Sequence, residues 1–252
     1  MSSEPSHPGL VGYLINDCKG SVVWEPPRAF TRKDTLRGQC SKSVLHCPAV
    51  RDFEGAFYEV SCPYDLRLKA RLSDKSPTGI VLAETSGQRR SVSPKALREI
   101  VCCMAPDRWR SAKKPLLQIA TPYRFVADAP IELEQFPPFL RYTGWPGVVV
   151  GGKFPTHVWP RTLSWAFEWH DLDRELVLKR GAPWFLCRFS PAAERIELVR
   201  ASWNPEVKKY TDSIDGVVNV VSNTFALFET ANRRRPERLL FTSVRDDSDR
   251  KQ

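Results

Sequence analysis

Ser164-Trp165-Ala166-Phe167-Glu168-Trp169-His170 is the stretch that decides the fold. Bulky aromatics alternate there with small or polar residues at a period of two. Side chains of a β-strand point alternately to the two faces of a sheet, so Trp165, Phe167 and Trp169 share one face, and Ser164, Ala166, Glu168 and His170 the other. A face of three large aromatics must be buried against another layer, which places this strand in a β-rich core. Downstream, 175–178, Gly181 and 184–189 read as strand, tight turn, strand, and 196–202 as a further strand. Upstream, 10–15, 22–24, 56–60, 66–72, 80–84, 116–119, 123–127, 131–133 and 147–150 read as short strands separated by turn residues.

Composition agrees with that pattern. The 252 residues include 21 prolines against 13 glycines, together with 8 tryptophans and 13 phenylalanines. Proline is excluded from helix interiors and central strands, so this many favours short elements joined by stiff turns. Aromatics suit pleated, half-buried surfaces. Helices are predicted in three places. Cys47-Pro48 precedes a helical turn at 49–53. Ser93-Pro94 opens a short helix with its body at 96–104, stopped by Pro106. Asn204-Pro205-Glu206 combines a cap, a first-turn proline and an acid at the positive end of the helix dipole. Val207, Tyr210, Ile214, Val217, Val218, Val221, Phe225 and Phe228 follow at helical spacing, predicting one C-terminal helix over 205–232. Gly216 weakens it by about 1 kcal/mol relative to alanine and marks a place for a kink. Its apolar stripe would dock on the core or form the seam of a homo-oligomer.

The expected architecture is mainly β. A β-barrel or double-sheet core occupies 45–202. An N-terminal segment with short strands (1–44) precedes it; a C-terminal helix (203–240) packs on the core or a partner, and a disordered tail (241–252) follows. No apolar run approaches the ~20 residues a membrane helix needs, and the N-terminus lacks the apolar segment of a signal peptide. The expectation is a cytoplasmic protein without a membrane partner. Seven cysteines, an odd number, read as reduced thiols in that compartment. The net charge of +9 would suit a polyanion surface. Basic residues cluster only at Arg89-Arg90, Lys113-Lys114 and Arg233-Arg234-Arg235, with no nucleic-acid motif beside them, so nucleic-acid binding is disfavoured though not excluded.

Three elements in order carry a resemblance. They are Leu45-His46-Cys47-Pro48-Ala49-Val50-Arg51-Asp52-Phe53 with Cys62-Pro63-Tyr64-Asp65, then Thr121-Pro122-Tyr123, then Leu178-Lys179-Arg180-Gly181-Ala182-Pro183-Trp184. Over about residues 45–190 the chain resembles a family of uncharacterised bacterial and phage proteins, a domain of unknown function with no assigned chemistry. Pro146-Gly147-Val148-Val149-Val150-Gly151-Gly152 and residues 177–186 are also similar, more weakly, to the two motifs of the trimeric dUTPase and dCTP deaminase superfamily. No aspartate follows Val149, so the water-activating carboxylate of that superfamily is missing, as is its glutamine after the glycine turn. That resemblance implies a compact barrel that binds a nucleotide without hydrolysing it. Cupin barrels share the same hairpin pattern.

Two groups of residues are candidates for chemistry. Glu168 and His170 share a strand face, and His157 on the preceding segment could come opposite them. Two histidines and a carboxylate suit Fe(II) or another divalent metal with open positions, the set of a non-haem iron, cupin-type oxygenase. Tyr123, Arg124, Trp159, Arg161, Trp165, Trp169 and Trp184 could line an aromatic, basic pocket for a planar anionic small molecule. Cys40, His46, Cys47 and Cys62 lack zinc-ligand spacing, and the three cysteines read as buried thiols. Cys102-Cys103 is placed on the short helix. Gly151-Gly152-Lys153 has too few glycines for a phosphate loop. The functional expectation is a ligand-binding or accessory protein without catalysis; the alternatives are the metal-dependent oxygenase and the non-hydrolysing nucleotide-binding barrel.

Overall fold

A computed structural model describes residues 9–15, 24–31, 46–84, 94–141, 143–190, 196–218 and 224–242. The protein is mainly β, with a curled half-barrel sheet among its layers. The largest sheet runs β14 (Ile196–Arg200), β1 (Gly9–Ile15), β7 (Leu116–Val126), β11 (Thr162–Trp169), β9 (Gly147–Val149), with β6 (Val101–Cys103) also on β7. A second sheet runs β10 (Gly152–Pro155), β8 (Glu132–Phe136), β13 (Pro183–Ser190), β3 (Tyr58–Ser61), β2 (Arg28–Ala29). A third has β4 (Leu66–Leu72) between β12 (Leu176–Leu178) and β5 (Ile80–Glu84). All pairings are antiparallel except β1 with β14.

The alternation read in β11 is the one the fold uses. Trp165, Phe167 and Trp169 are fully buried. Trp165 stacks on Trp184 at 5.8 Å between ring centroids, and Trp145 meets it edge-on at 5.4 Å. These rings fill the space between the sheets, and Tyr64, Leu68 and Leu176 extend the same cluster under the third sheet. The polar face of β11 does not stay wet along its length: Ser164 and Ala166 are half-buried, but Glu168 is buried.

Several expected elements differ. The two strands expected at 116–119 and 123–127 are the single strand β7, which runs through Pro122. Proline lacks a ladder donor, and the fold offers it a gap. β6 pairs with 117–119 and β1 with 123–126, while on the other side β11 shifts register between Thr162 and Ser164. Thr121 Oγ1 fills that irregularity by donating to the Leu163 carbonyl at 3.0 Å. The helix expected to include 96–104 is α2 (Pro94–Ile100), and Val101–Cys103 is strand, because pairing with β7 overrides a short helix of modest propensity. The residues around Gly181 are not a hairpin. β12 pairs with β4 and β13 with β3, so the chain crosses between sheets at this glycine, whose φ of +77° costs an L side chain strain. Residues 49–53 belong to α1 (Pro48–Gly55).

The C-terminal stripe forms α3 (Pro205–Val218) and α4 (Thr224–Arg234) rather than one helix. Tyr210 Oη donates to the Ala231 carbonyl at 3.1 Å although the two are 21 residues apart. In one straight helix they would be separated by about 30 Å. Of the two uses expected for the stripe, α3 shows docking: Val207, Tyr210 and Ile214 pack on Leu14, Val126 and Trp159. The N-terminal segment contributes β1 to the middle of the largest sheet. The expected strand at 22–24, apart from Trp24, and the expected tail beyond Thr242 lie outside the described residues. Among the described residues no helix is long and apolar enough to cross a membrane.

Candidate anion-binding cleft

Glu168 and His170 meet as strand parity requires: His170 Nε2 lies 2.7 Å from Glu168 Oε1. Arg110 Nε stands 3.4 Å from the other oxygen. A carboxylate only 7% exposed is thus held between two basic groups, as a buried charge must be. His157 is elsewhere. Its ring Nδ1 faces the Ile131 carbonyl at 3.4 Å, and its own carbonyl accepts from Arg235 Nε. Neither Glu168 nor His170 is among these partners, whereas Glu168 and His170 contact each other. Among the described residues no group of three His, Cys, Asp or Glu is placed to hold a metal ion. Cys40 lies outside the described residues; Cys47 and Cys62 are free thiols.

The seven aromatic and basic residues do not line one opening. Trp165, Trp169, Trp184 and Tyr123 are fully buried in the core. Trp165 Nε1 donates to the Trp184 carbonyl, and Tyr123 Oη to that of Glu25. Arg124 is a buried structural cation. It donates to the Pro160 carbonyl, to Thr162 Oγ1 and to Asp215 on α3, and its guanidinium lies 5.7 Å from the Trp203 ring centre. Burial lowers its pKa, which Asp215 partly offsets; burial lowers that of Arg161 too. Trp159 borders a cavity, a space of about 50 Å³ against Tyr210, Ile214 and Arg234. That volume is room for a water or two.

The larger cleft is built from other residues. It measures about 380 Å³ and is lined by Cys62, Arg67, Arg141, Thr143, Trp145, Val177, Leu178, Lys179, Ala182 and Pro183. Three segments meet here: the passage from β3 to β4, the link between β8 and β9, and the crossing from β12 to β13. The crossing is pinned to Cys62, whose carbonyl accepts from Gly181 N and whose N–H donates to the Ala182 carbonyl, both at 2.8 Å. Trp145 is half-buried and oriented by its Nε1 donating to the Val177 carbonyl at 3.1 Å. Arg141 is braced by Glu59 at 3.3 Å, by the Thr31 carbonyl and by the Phe30 ring. Arg67 has a loose partner, Glu175, at 3.7 Å. Lys179 is exposed and makes no ion pair among the described residues.

Of the charged residues among the described ones that line the cleft, three are basic and none acidic. Burial pushes the Cys62 thiol up to about 12, so it stays protonated and is no nucleophile at neutral pH. Among the described residues, no histidine or carboxylate reaches the lining. The arrangement supplies positive charge, one hydroxyl and an indole. It is equipped to hold an anion. Sequence reasoning missed these residues. The one local signal was the alternation in Leu66-Arg67-Leu68-Lys69-Ala70-Arg71, which turns the cations outward.

The class defined by fold and site is a β-sheet protein with a basic, partly aromatic cleft. No family model matches the sequence, and no curated protein or solved structure matches the chain.

Proposed function

We propose that the chain is a ligand-binding protein that takes a small anionic molecule, a phosphate-bearing one such as a nucleotide, into the cleft between Arg67, Arg141 and Lys179. The observation that carries this reading is the convergence of those three cations on a space that also contains Trp145. A volume near 380 Å³ falls within the roughly 300–1,000 Å³ typical of small-molecule sites. The cations would hold phosphate oxygens, and the indole would border a planar group. The absence of carboxylate, imidazole or thiolate among the described lining residues favours binding over hydrolysis.

A thermal-shift panel of inorganic phosphate, pyrophosphate, AMP, ADP and citrate tests it. A ligand at 100 times its Kd stabilises by about 2.7 kcal/mol, so at least one anion should raise Tm by several degrees. Arg67→Glu and Lys179→Glu, both on exposed side chains, should abolish that rise without lowering the unliganded Tm much. No stabilisation of the wild type by any anion, or equal stabilisation of the variants, would overturn the proposal.

A further inference from the structure

The cleft does not end at Arg67. β4 alternates along its length, with Leu66, Leu68 and Ala70 buried, Arg67 and Arg71 exposed and Lys69 half-buried. The three cations therefore form one row on the outward face of the three-stranded sheet, spaced by two residues or about 6.7 Å. Register shows what flanks them. Arg71 is opposite Val81 and Lys69 opposite Ala83 on β5, and Arg67 is opposite Val177 on β12. Residues directly opposite in an antiparallel ladder share a face. The row is thus flanked by Val81, Ala83 and Val177, with Val81 at 52% exposure an apolar residue left in water, and by one carboxylate, Glu175, which pairs with Arg67. Lys69 and Arg71 make no ion pair among the described residues. Glu175 pairs with Arg67 at 3.7 Å, and Asp65, one residue before β4, is bound to Arg180.

We infer that this face is a track for single-stranded nucleic acid that leads its terminal nucleotide into the cleft. This rests on the cleft being an anion site. Evenly spaced cations along a strand match the repeat of phosphates along an extended single strand. Apolar side chains beside them suit sugars and base faces, and Trp145 at the end supplies the aromatic surface that sequence-tolerant single-strand binders use. The net charge of +9 favours association with any polyanion, so the local signature is the cation row rather than the total.

The test uses the full chain and fluorescence anisotropy with labelled dT12 and rU12, a blunt 12-base-pair duplex, and inorganic polyphosphate or phosphatidylglycerol vesicles as competitors. AMP is followed in parallel by thermal shift. The oligonucleotide should bind at least tenfold more tightly than AMP and more tightly than the duplex. Lys69→Gln with Arg71→Gln should weaken it at least tenfold and reduce the salt slope by about 1.4, two phosphates' worth for a single strand, leaving the AMP shift intact. If AMP binds but length adds nothing, or the double variant binds dT12 as the wild type does, the track is refuted and the cleft reading stands. Equal binding of the duplex, or displacement of dT12 by polyphosphate or vesicles at matched charge, also refutes it in favour of a general polyanion surface. If neither AMP nor dT12 binds, both readings fall.

Discussion

Arg124 and Asp215 join the C-terminal helices to the sheet, and their unequal burial makes a directional prediction. The Arg124 side chain is 3% exposed and that of Asp215 39%. Asp215→Ala leaves a guanidinium in the interior hydrogen-bonded to the Pro160 carbonyl and Thr162 Oγ1, with the Trp203 ring and the Asp212 charge as its remaining electrostatic partners. Breaking a buried pair this way costs about 3–5 kcal/mol when no water can enter. The exposure of Asp215 admits some water after truncation, so the expected cost is nearer 2–3 kcal/mol, within the range for a hydrogen bond to a charged group plus residual desolvation. Arg124→Met removes the charge that needs compensation, keeps most of the apolar volume and leaves a carboxylate that solvent can reach. It forfeits a hydrogen bond to the Pro160 carbonyl and should cost about 1–2 kcal/mol. The double variant should resemble Arg124→Met. Urea denaturation followed by tryptophan fluorescence measures all three; at roughly 2–4 °C per kcal/mol for a chain of this size, Asp215→Ala should lose about 4–12 °C in Tm. If Arg124→Met proved more destabilising than Asp215→Ala, the claim that the buried cation dictates the pairing would be refuted.

Thiol reactivity should divide the cysteines. Cys62 and Cys187 are buried and burial raises both thiols, whereas Cys102 is exposed. Brief iodoacetamide treatment of the native protein at pH 8, read by peptide mass spectrometry, should label Cys102 and spare Cys62 and Cys187 until urea is added; early labelling of Cys62 would contradict its burial. Gly147 lies so close to β11 that a Cβ would meet the Glu168 backbone carbonyl and the Phe167 ring. Gly147→Ala should therefore destabilise by about 1–3 kcal/mol, as overpacking does, and a Tm unchanged within a degree would show that β9 can move away at no cost.

What was legible in the sequence was local. Period-two alternation located β11 and put Glu168 beside His170, and the short strands expected at 66–72 and 80–84 matched β4 and β5. Pro205 with Asn204 marked the start of α3, where Asn204 Oδ1 accepts from Glu206 N at 2.8 Å. What was not legible depended on pairings between distant segments. Thr121-Pro122 looks like a break until β1, β6 and β11 are seen to leave a gap there. Trp165, Trp169 and Trp184 looked like a pocket because aromatic composition does not distinguish a lining from a core. His157 looked like a partner for His170 because parity fixes a face but not a position along the strand. The cleft was invisible for the same reason. Arg67, Arg141 and Lys179 come from separate parts of the chain, and only the pairing of β12 with β4 brings two of them together.

The central claim is that the cleft beside Trp145 takes an anion, and fluorine NMR of protein labelled with 5-fluorotryptophan tests it at the site itself. Trp145→Phe assigns that resonance among the eight. On titration with AMP or pyrophosphate, the Trp145 signal should shift saturably while those of Trp165 and Trp184, in the core, move less, and Arg67→Glu should remove the shift. A Trp145 signal that stays fixed through saturating anion, or one that moves equally in Arg67→Glu, would contradict the account.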